Sequence, residues 1–220
     1  MEYCSKVYGL RITHSPITVK LFKDLHIKFF MLKNNFPQRK KDVLSKKDKS
    51  SKDSWDKKIK SLCKKINSFE NYYTTSSCSG RIVLMIDEDK KGPELFKVII
   101  HDLIDFDNLK RNLEKIAKNN KSLIKFKQEP CIIHIACQTL KDAEEWCKKA
   151  QLSGWKRSGI ISFGRRFIVE LNSTEKLEFP IINKNKIIVS DEFLKLIIKK
   201  SNENLKKSWG KIEKLESYLS

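Results

Sequence analysis

Apolar residues recur at helical spacing in several stretches of the chain and alternate with polar ones in shorter runs between them. Trp55, Ile59, Leu62, Cys63 and Ile66 fall on one helical face, so a helix is expected after Ser54 or Asp53, either of which suits an N-cap, with Asp56 in its first turn. Leu109, Leu113 and Ile116 predict a helix over about 107–119. Ala143, Trp146, Cys147 and Ala150 predict another over 141–152, stopped by Gly154. A basic helix is expected over about 36–47, and a last one from 191 to about 205 with a weaker continuation to 218. Strand patterns occur at 80–86, 95–101, 123–128, 131–137, 159–163, 167–171 and 186–189, with a Gly92-Pro93 loop between the first two. The order is that of an α+β fold: a single domain with a mixed sheet flanked by helices. It lacks the strand, G-x-G-x-x-G turn and helix of a Rossmann-type nucleotide fold.

Composition narrows the class. With 220 residues and no Gly/Pro/Ser-rich linker, one domain with a substantial core is expected. The 46 Lys and Arg against 27 Asp and Glu give a formal charge of +19, which predicts attraction to a polyanion, nucleic acid being the natural one. The same excess also reads as a lysine-rich coding bias spread over solvated helix faces. No run approaches the roughly 20 apolar residues of a membrane span, and the N-terminus lacks an apolar segment with a small-residue cleavage site. A cytoplasmic protein without a membrane partner is expected. The cysteines Cys4, Cys63, Cys78, Cys131, Cys137 and Cys147 form no C-x-x-C pair, so no metal is expected, and Cys131 and Cys137 read as small buried hydrophobes.

One segment resists explanation as packing material. Thr74-Thr75-Ser76-Ser77-Cys78-Ser79-Gly80-Arg81 sets six small hydrogen-bonding side chains before a Gly and an Arg. Such residues compete with the backbone for its own hydrogen bonds and make a poor helix interior. Two readings stay open: an edge strand with a Thr/Ser-rich turn, or an anion cradle in which Gly80 frees the backbone and Arg81 offers a planar fork to a carboxylate or phosphate.

Further elements follow in order from about residue 36 to the C-terminus. They are Ser54-Trp55-Asp56, the 74–81 block, His101, Glu129-Pro130 with His134 and Cys137, and Gly154-Trp155-Lys156-Arg157-Ser158-Gly159-Ile160. Ser173-Thr174, Leu177-Glu178, Pro180, Asn202 and Asn204 add to them. In this set the chain resembles the tRNA wybutosine-synthesis N4-methyltransferase family. Two positions depart from the family pattern: Asp53 stands in place of a Gly, and Asn172 where many members carry Arg. Residues 1–35, which include His14, have no counterpart, so they read as an N-terminal extension to a family-like domain at 36–220.

The resemblance implies S-adenosylmethionine-dependent N4-methylation of the tricyclic guanosine derivative at position 37 of tRNA(Phe), beside the anticodon. In-line displacement at a sulfonium methyl asks the protein for alignment, water exclusion and removal of one proton. Asp56 and His134 are the candidate bases, with Glu129 a third. Their plainer readings are a first-turn acid, a half-buried strand histidine and a turn anchor. Binding of substrate and cofactor falls to Ser54, Thr75, Ser76, Ser77, Cys78, Ser79, Arg81, His101, Glu129 and Ser158. Arg81 suits a carboxylate of the cofactor or of the substrate's aminocarboxypropyl arm. Trp155 reads either as core or, with Lys156 and Arg157, as an RNA platform. The alternative function is a noncatalytic basic RNA-binding or scaffold protein of the same fold.

Overall fold

A computed structural model describes residues 35–46 and 55–219. Helices α1 (Phe36–Leu44) and α2 (Lys60–Ser68) lead into strands β1 (Tyr72–Cys78), β2 (Arg81–Ile86) and β3 (Phe96–Ile100). Helix α3 (Phe106–Asn119), strands β4 (Ile124–Glu129) and β5 (Ile132–Cys137) and helix α4 (Leu140–Leu152) follow. Strands β6 (Arg157–Ser162), β7 (Phe167–Asn172), β8 (Leu177–Asn183) and β9 (Lys186–Ile187) precede the long helix α5 (Asp191–Ser217). The fold is α+β around one principal core. Among the described residues no helix is long and apolar enough to cross a membrane.

The strands form two sheets, ordered β1-β5-β7-β6 and β3-β2-β4-β8-β9. Among the described residues all the pairings are antiparallel, which corrects the mixed sheet expected from the pattern. The lateral orders show how the sheets relate. β1, β5 and β7 of the first continue directly along the chain into, or out of, β2, β4 and β8 of the second, so three bent strands turn one corner side by side. Ser79-Gly80, Pro130-Cys131 and residues 173–176 make the three bends. Gly80 takes φ +97°, and a Cβ there would lie 3.1 Å from Leu205 Cδ2 and 3.2 Å from the Glu129 carbonyl. Only glycine meets both conditions without strain. Pro130 sits where the chain leaves one ladder for another, a place where its missing N–H costs little.

Helix α5 braces the corner from behind. Lys211 donates to Ser173 Oγ at 2.9 Å and to both Glu175 carboxylate oxygens at 2.6 and 2.7 Å. Buried Gln128 donates to the Glu129 and Glu175 carbonyls at 3.0 and 3.1 Å and accepts from Asn204 at 2.8 Å. The bends thereby keep their backbone acceptors satisfied away from water. Burial pushes the Glu175 carboxyl up, yet hydrogen bonds from Lys211 and Ser173 outweigh it and hold the group below its ordinary value.

Local rules account for most helix limits. α4 starts with a capping box, Thr139 N–H donating to Asp142 Oδ2 at 2.9 Å and Asp142 N–H to Thr139 Oγ1 at 3.1 Å. It stops at Gly154, whose φ of +86° suits the left-handed turn. α5 runs unbroken through the stretch read as a weak continuation, because Leu205, Trp209, Ile212 and Leu215 keep burying one face. The N-cap expected at Ser54 or Asp53 falls instead at Ile59, because α2 begins only at Lys60 and Asp56 precedes it rather than lying in its first turn; Ser54, Asp53 and most of the 1–35 segment lie outside the described residues. β8 had no strand expectation, and β1 had one only as the edge-strand alternative for the 74–81 block. The polar half of β1 hides its period, and Pro180 interrupts β8, where a register shift beside it absorbs the missing donor.

Candidate active site

The corner opens on a cavity of about 460 Å³ where the bent strands leave one sheet for the other. Ser76, Ser77 and Cys78 line it from the end of β1, Arg81 from the start of β2, and Lys127 and Glu129 from β4. Arg157, Asn172 and Lys176 close the far side. Four cations thus face one acid. Arg81 Nε donates to Glu129 Oε2 at 2.6 Å, and Lys127 lies 2.9 Å from Glu129 Oε1. Burial pushes the Glu129 carboxyl up, but the Arg81 charge and the Lys127 hydrogen bond outweigh it and keep the group ionised. One anion shared by two cations, with Lys176 paired to Glu178 at 2.8 Å, leaves Arg157 in excess on the wall, the disposition expected for a ligand with a carboxylate. Ser77 Oγ and Asn172 Oδ1, on lining residues, are buried without a hydrogen-bond partner. Such atoms are rare in native folds and point to a missing ligand group or water.

Beside this cavity two cross-strand rows share one face of the first sheet. Cys78, Ile132, Asn172 and Arg157 are register partners, and so are Ser76, His134, Glu170 and Gly159 one step along. A bulge between Thr74 and Ser76 lets Thr75 drop out of register, and its hydroxyl donates to the His134 carbonyl at 3.4 Å. In the second row His134 Nδ1 lies 2.9 Å from Ser76 Oγ, and Nε2 lies 2.8 Å from Glu170 Oε2. A carboxylate on Nε2 selects the tautomer that carries its proton there, leaving Nδ1 as an acceptor. His134 and Glu170 keep 28% and 31% of their side chains exposed, so the relay opens to solvent beside the cavity.

A second histidine cluster lies behind the β1–β2 turn. Asp56 Oδ2 accepts from Ser79 N at 2.9 Å and Ser79 Oγ at 3.2 Å and sits 3.1 Å from His101 Nδ1. Cys78 Sγ is 3.9 Å from the same His101 nitrogen. Burial pushes the Asp56 carboxyl up, but hydrogen bonds from His101 and Ser79 outweigh it and hold the group below its ordinary value. Burial, helped by the Asp56 charge, pushes the Cys78 thiol up to about 12, so it stays protonated and is no nucleophile near neutral pH. Among the described residues Asp56, Cys78 and His101 form the one set whose ligand atoms, within 4.8 Å of one another, could hold a metal ion.

The structure therefore gathers Ser76, Ser77, Cys78, Arg81 and Glu129 around one cavity, sets His134 beside it, and places Asp56, Ser79 and His101 behind the turn. Ser158 is elsewhere. It pairs with Leu171 on the opposite face of the sheet, and its hydroxyl donates to the Trp155 carbonyl at 2.8 Å. Trp155 is fully buried with Nε1 donating to the Lys211 carbonyl at 3.1 Å, so it is core and not an RNA platform. Ser54 lies outside the described residues. Sequence reasoning missed Lys127, Lys176 and, above all, Glu170. The alternation of β7 was the available signal, since Glu170 and Asn172 are its polar positions two apart.

Comparison with known proteins follows the same outline. The family model of methyltransferase TYW3 matches residues 38–220. The chain is 34% identical over 192 residues to the tRNA(Phe) 7-((3-amino-3-carboxypropyl)-4-demethylwyosine(37)-N(4))-methyltransferase of Thermococcus sibiricus, covering 86% of this chain and 97% of that protein. It is 31% identical to the tRNA wybutosine-synthesizing protein 3 homolog of Danio rerio, over 84% of this chain and 75% of that one. The structure of PH1069 protein from Pyrococcus horikoshii superposes with a TM-score of 0.76 at 31% identity, covering 86% of this chain and 97% of that one. On a match that takes in the bent strands and the helix that braces them, the chain belongs to the methyltransferase TYW3 family.

Proposed function

We propose that the protein methylates N4 of the tricyclic guanosine derivative at position 37 of tRNA(Phe), with S-adenosylmethionine as the donor, in wybutosine biosynthesis. Family membership makes it a tRNA methyltransferase. The observation that carries the reading to this cavity is the excess of cations on its wall together with two buried polar atoms that lack partners. A volume of about 460 Å³ falls within the ordinary range for small-molecule sites, roughly 300–1,000 Å³. The residues present fit a zwitterionic cofactor. Arg157 suits its carboxylate, and the Ser77 and Asn172 oxygens suit its ammonium or hydroxyl groups. When bound, S-adenosylmethionine supplies an electrophilic methyl group.

The chain itself supplies alignment and a proton acceptor. Arg81, held through Nε by Glu129, keeps its terminal nitrogens for a substrate carboxylate. His134 takes the proton lost from the attacking nitrogen, directly at Nδ1 or through Ser76, and Glu170 stabilises the imidazolium that results. Asp56 acts differently in this reading. Its carboxylate is occupied by two Ser79 donors and His101, so it fixes the turn that presents Arg81. We place the functional unit at residues 36–220, with 1–35 as an extension, and its action in the cytoplasm at the anticodon region.

The test uses tRNA(Phe) carrying the unmethylated tricyclic precursor. Purified protein with S-adenosylmethionine should add one methyl group per tRNA, detected by nucleoside mass analysis, while tRNA(Phe) with plain guanosine at position 37 stays unmodified. Equal methylation of both, or none of the precursor, would defeat the reading, the second result favouring a noncatalytic RNA-binding protein.

A further inference from the structure

Among the described residues strand β6 is an edge strand, bonded to β7 on one side only. Its first residue, Arg157, is exposed and lines the cavity. Its other end runs into a hairpin tip where Ile161 is 55% and Phe163 69% exposed. The turn that follows is Gly164-Arg165-Arg166, with Gly164 at φ +145°. From Lys156 to Phe167 the sequence contains Lys156, Arg157, Arg165 and Arg166 and no acid. Six residues of strand separate the cavity from the tip, about 20 Å at roughly 3.3 Å per residue.

The tip is fixed in place. Arg166 Nη1 donates to the Tyr73 hydroxyl at 2.5 Å and the guanidinium lies 5.7 Å from the Tyr73 ring centre. Tyr73 in turn packs on Phe36 of α1 with ring centres 5.1 Å apart. This joins the hairpin to α1 and brings Arg39 to the same shallow crevice as Arg165 and Arg166. Phe163 meets Phe167 edge to face, 6.1 Å between centres at 88°, so an oriented ring is offered to solvent. Asp42, the one acid of α1, is hydrogen-bonded by Gln38 at 2.8 Å.

We propose that the β6–β7 hairpin and the first turns of α1 form the docking surface for the substrate RNA. The RNA follows the exposed edge of β6 from the cavity, where the reacting base sits, to the Phe163–Arg165–Arg39 patch. The chemistry selects RNA over an acidic protein. Guanidinium forks match phosphates, and an exposed aromatic face accepts an unstacked base. The proposal rests on the reading of the substrate as tRNA and adds the place where the rest of that molecule is held.

The experiment measures binding of tRNA(Phe) to the full chain by fluorescence anisotropy at several salt concentrations, for Phe163→Ala, Arg39→Ala, Arg165→Ala and the triple variant. Arg166 and Tyr73 are left intact to preserve the anchor. Phe163→Ala should weaken binding about tenfold with the salt slope unchanged, as expected for a lost stacking contact. Each arginine variant should reduce the slope of log affinity against log salt by about 0.7–0.9, one phosphate's share. Melting temperature and S-adenosylmethionine affinity should match wild type in all four. A triple variant within twofold of wild-type tRNA affinity overturns the proposal, whether or not it has lost binding to polyglutamate, the behaviour of a surface for acidic protein. RNA binding is read apart from turnover. Failure of the wild-type protein to methylate would sink the cavity's assignment and leave this result standing.

Discussion

Two histidines in this fold have nearly the same neighbours and opposite circumstances. His101 shares its Nδ1 with Asp56 and Cys78 behind the β1–β2 turn, and Asp56 is also claimed by two Ser79 donors. His134 has Glu170 on one nitrogen and a single serine hydroxyl on the other, and it differs from His101 in these partners and not in its exposure, 28% against 26%. Each cluster holds a carboxylate, an imidazole and a small hydroxyl or thiol. The first is a closed network whose acceptors are satisfied, which suits the fixing of backbone. The second keeps a nitrogen lone pair one hydroxyl away from solvent, which suits proton transfer. Residue type alone does not separate the roles; occupancy of the lone pairs does.

Removing the open histidine should have the largest effect. His134→Asn retains a hydrogen-bonding side chain but no titratable nitrogen, so turnover should fall by about 10²–10⁴-fold, the usual contribution of a general base. Its melting temperature should stay within a few degrees of wild type. Single-turnover methylation and thermal melts together check this, and wild-type turnover would transfer the base role away from His134.

The closed cluster should respond in stability first. Asp56→Asn replaces a charged acceptor of three hydrogen bonds with an amide, a loss of about 1–3 kcal/mol at neutral pH. For a chain of this size that is a fall of roughly 2–12 °C, at about 2–4 °C per kcal/mol. The pH dependence follows from the sign of the shift. The folded carboxyl lies below its ordinary 3.8, so its stabilisation is complete above that value and disappears as pH falls through the lower folded value. Melts of wild type and Asp56→Asn should therefore differ most at neutral pH and converge in strong acid. A gap that does not narrow at all as the pH is lowered into strong acid would show that the carboxylate charge is not what matters.

Cys78 tests the comparison at its smallest effect. Its thiol is protonated and half-buried beside His101, so Cys78→Ala should cost no more than a few-fold in turnover and about 1 kcal/mol in stability. Loss of all activity with the fold intact would assign the sulfur a role that its raised pKa argues against.

Much of this was legible in the chain. Helix faces announced themselves through Leu109 and Leu113 or Ala143 and Trp146, because helical packing imposes a period on every amphipathic segment. The Thr74–Arg81 block stood out because small polar side chains before a glycine have few uses in a core. Its edge-strand reading holds among the described residues, and the end of β1 also lines the cavity, where the cradle reading becomes the proposal. The departures came where position depends on pairing. Trp155 read either as core or as an RNA platform, and Ser158 as a binding residue, until the chain after α4 turned the first into the core and sent the second to the opposite sheet face.

What the sequence by itself determined is the set of elements and the chemistry on offer: helices from apolar period, turns from Gly80 and Gly154, and a supply of Ser, His and Arg in fixed order. Tertiary structure decided which of these meet. Glu170 lies 36 positions from His134 and 94 from Ser76, and only the pairing of β1, β5 and β7 sets the three in a row. Arg81 meets Glu129 across β2 and β4 for the same reason. A strand reveals its two faces through local alternation, but its neighbours and register are settled by the burial and hydrogen bonding of the whole sheet, which no local window of residues contains.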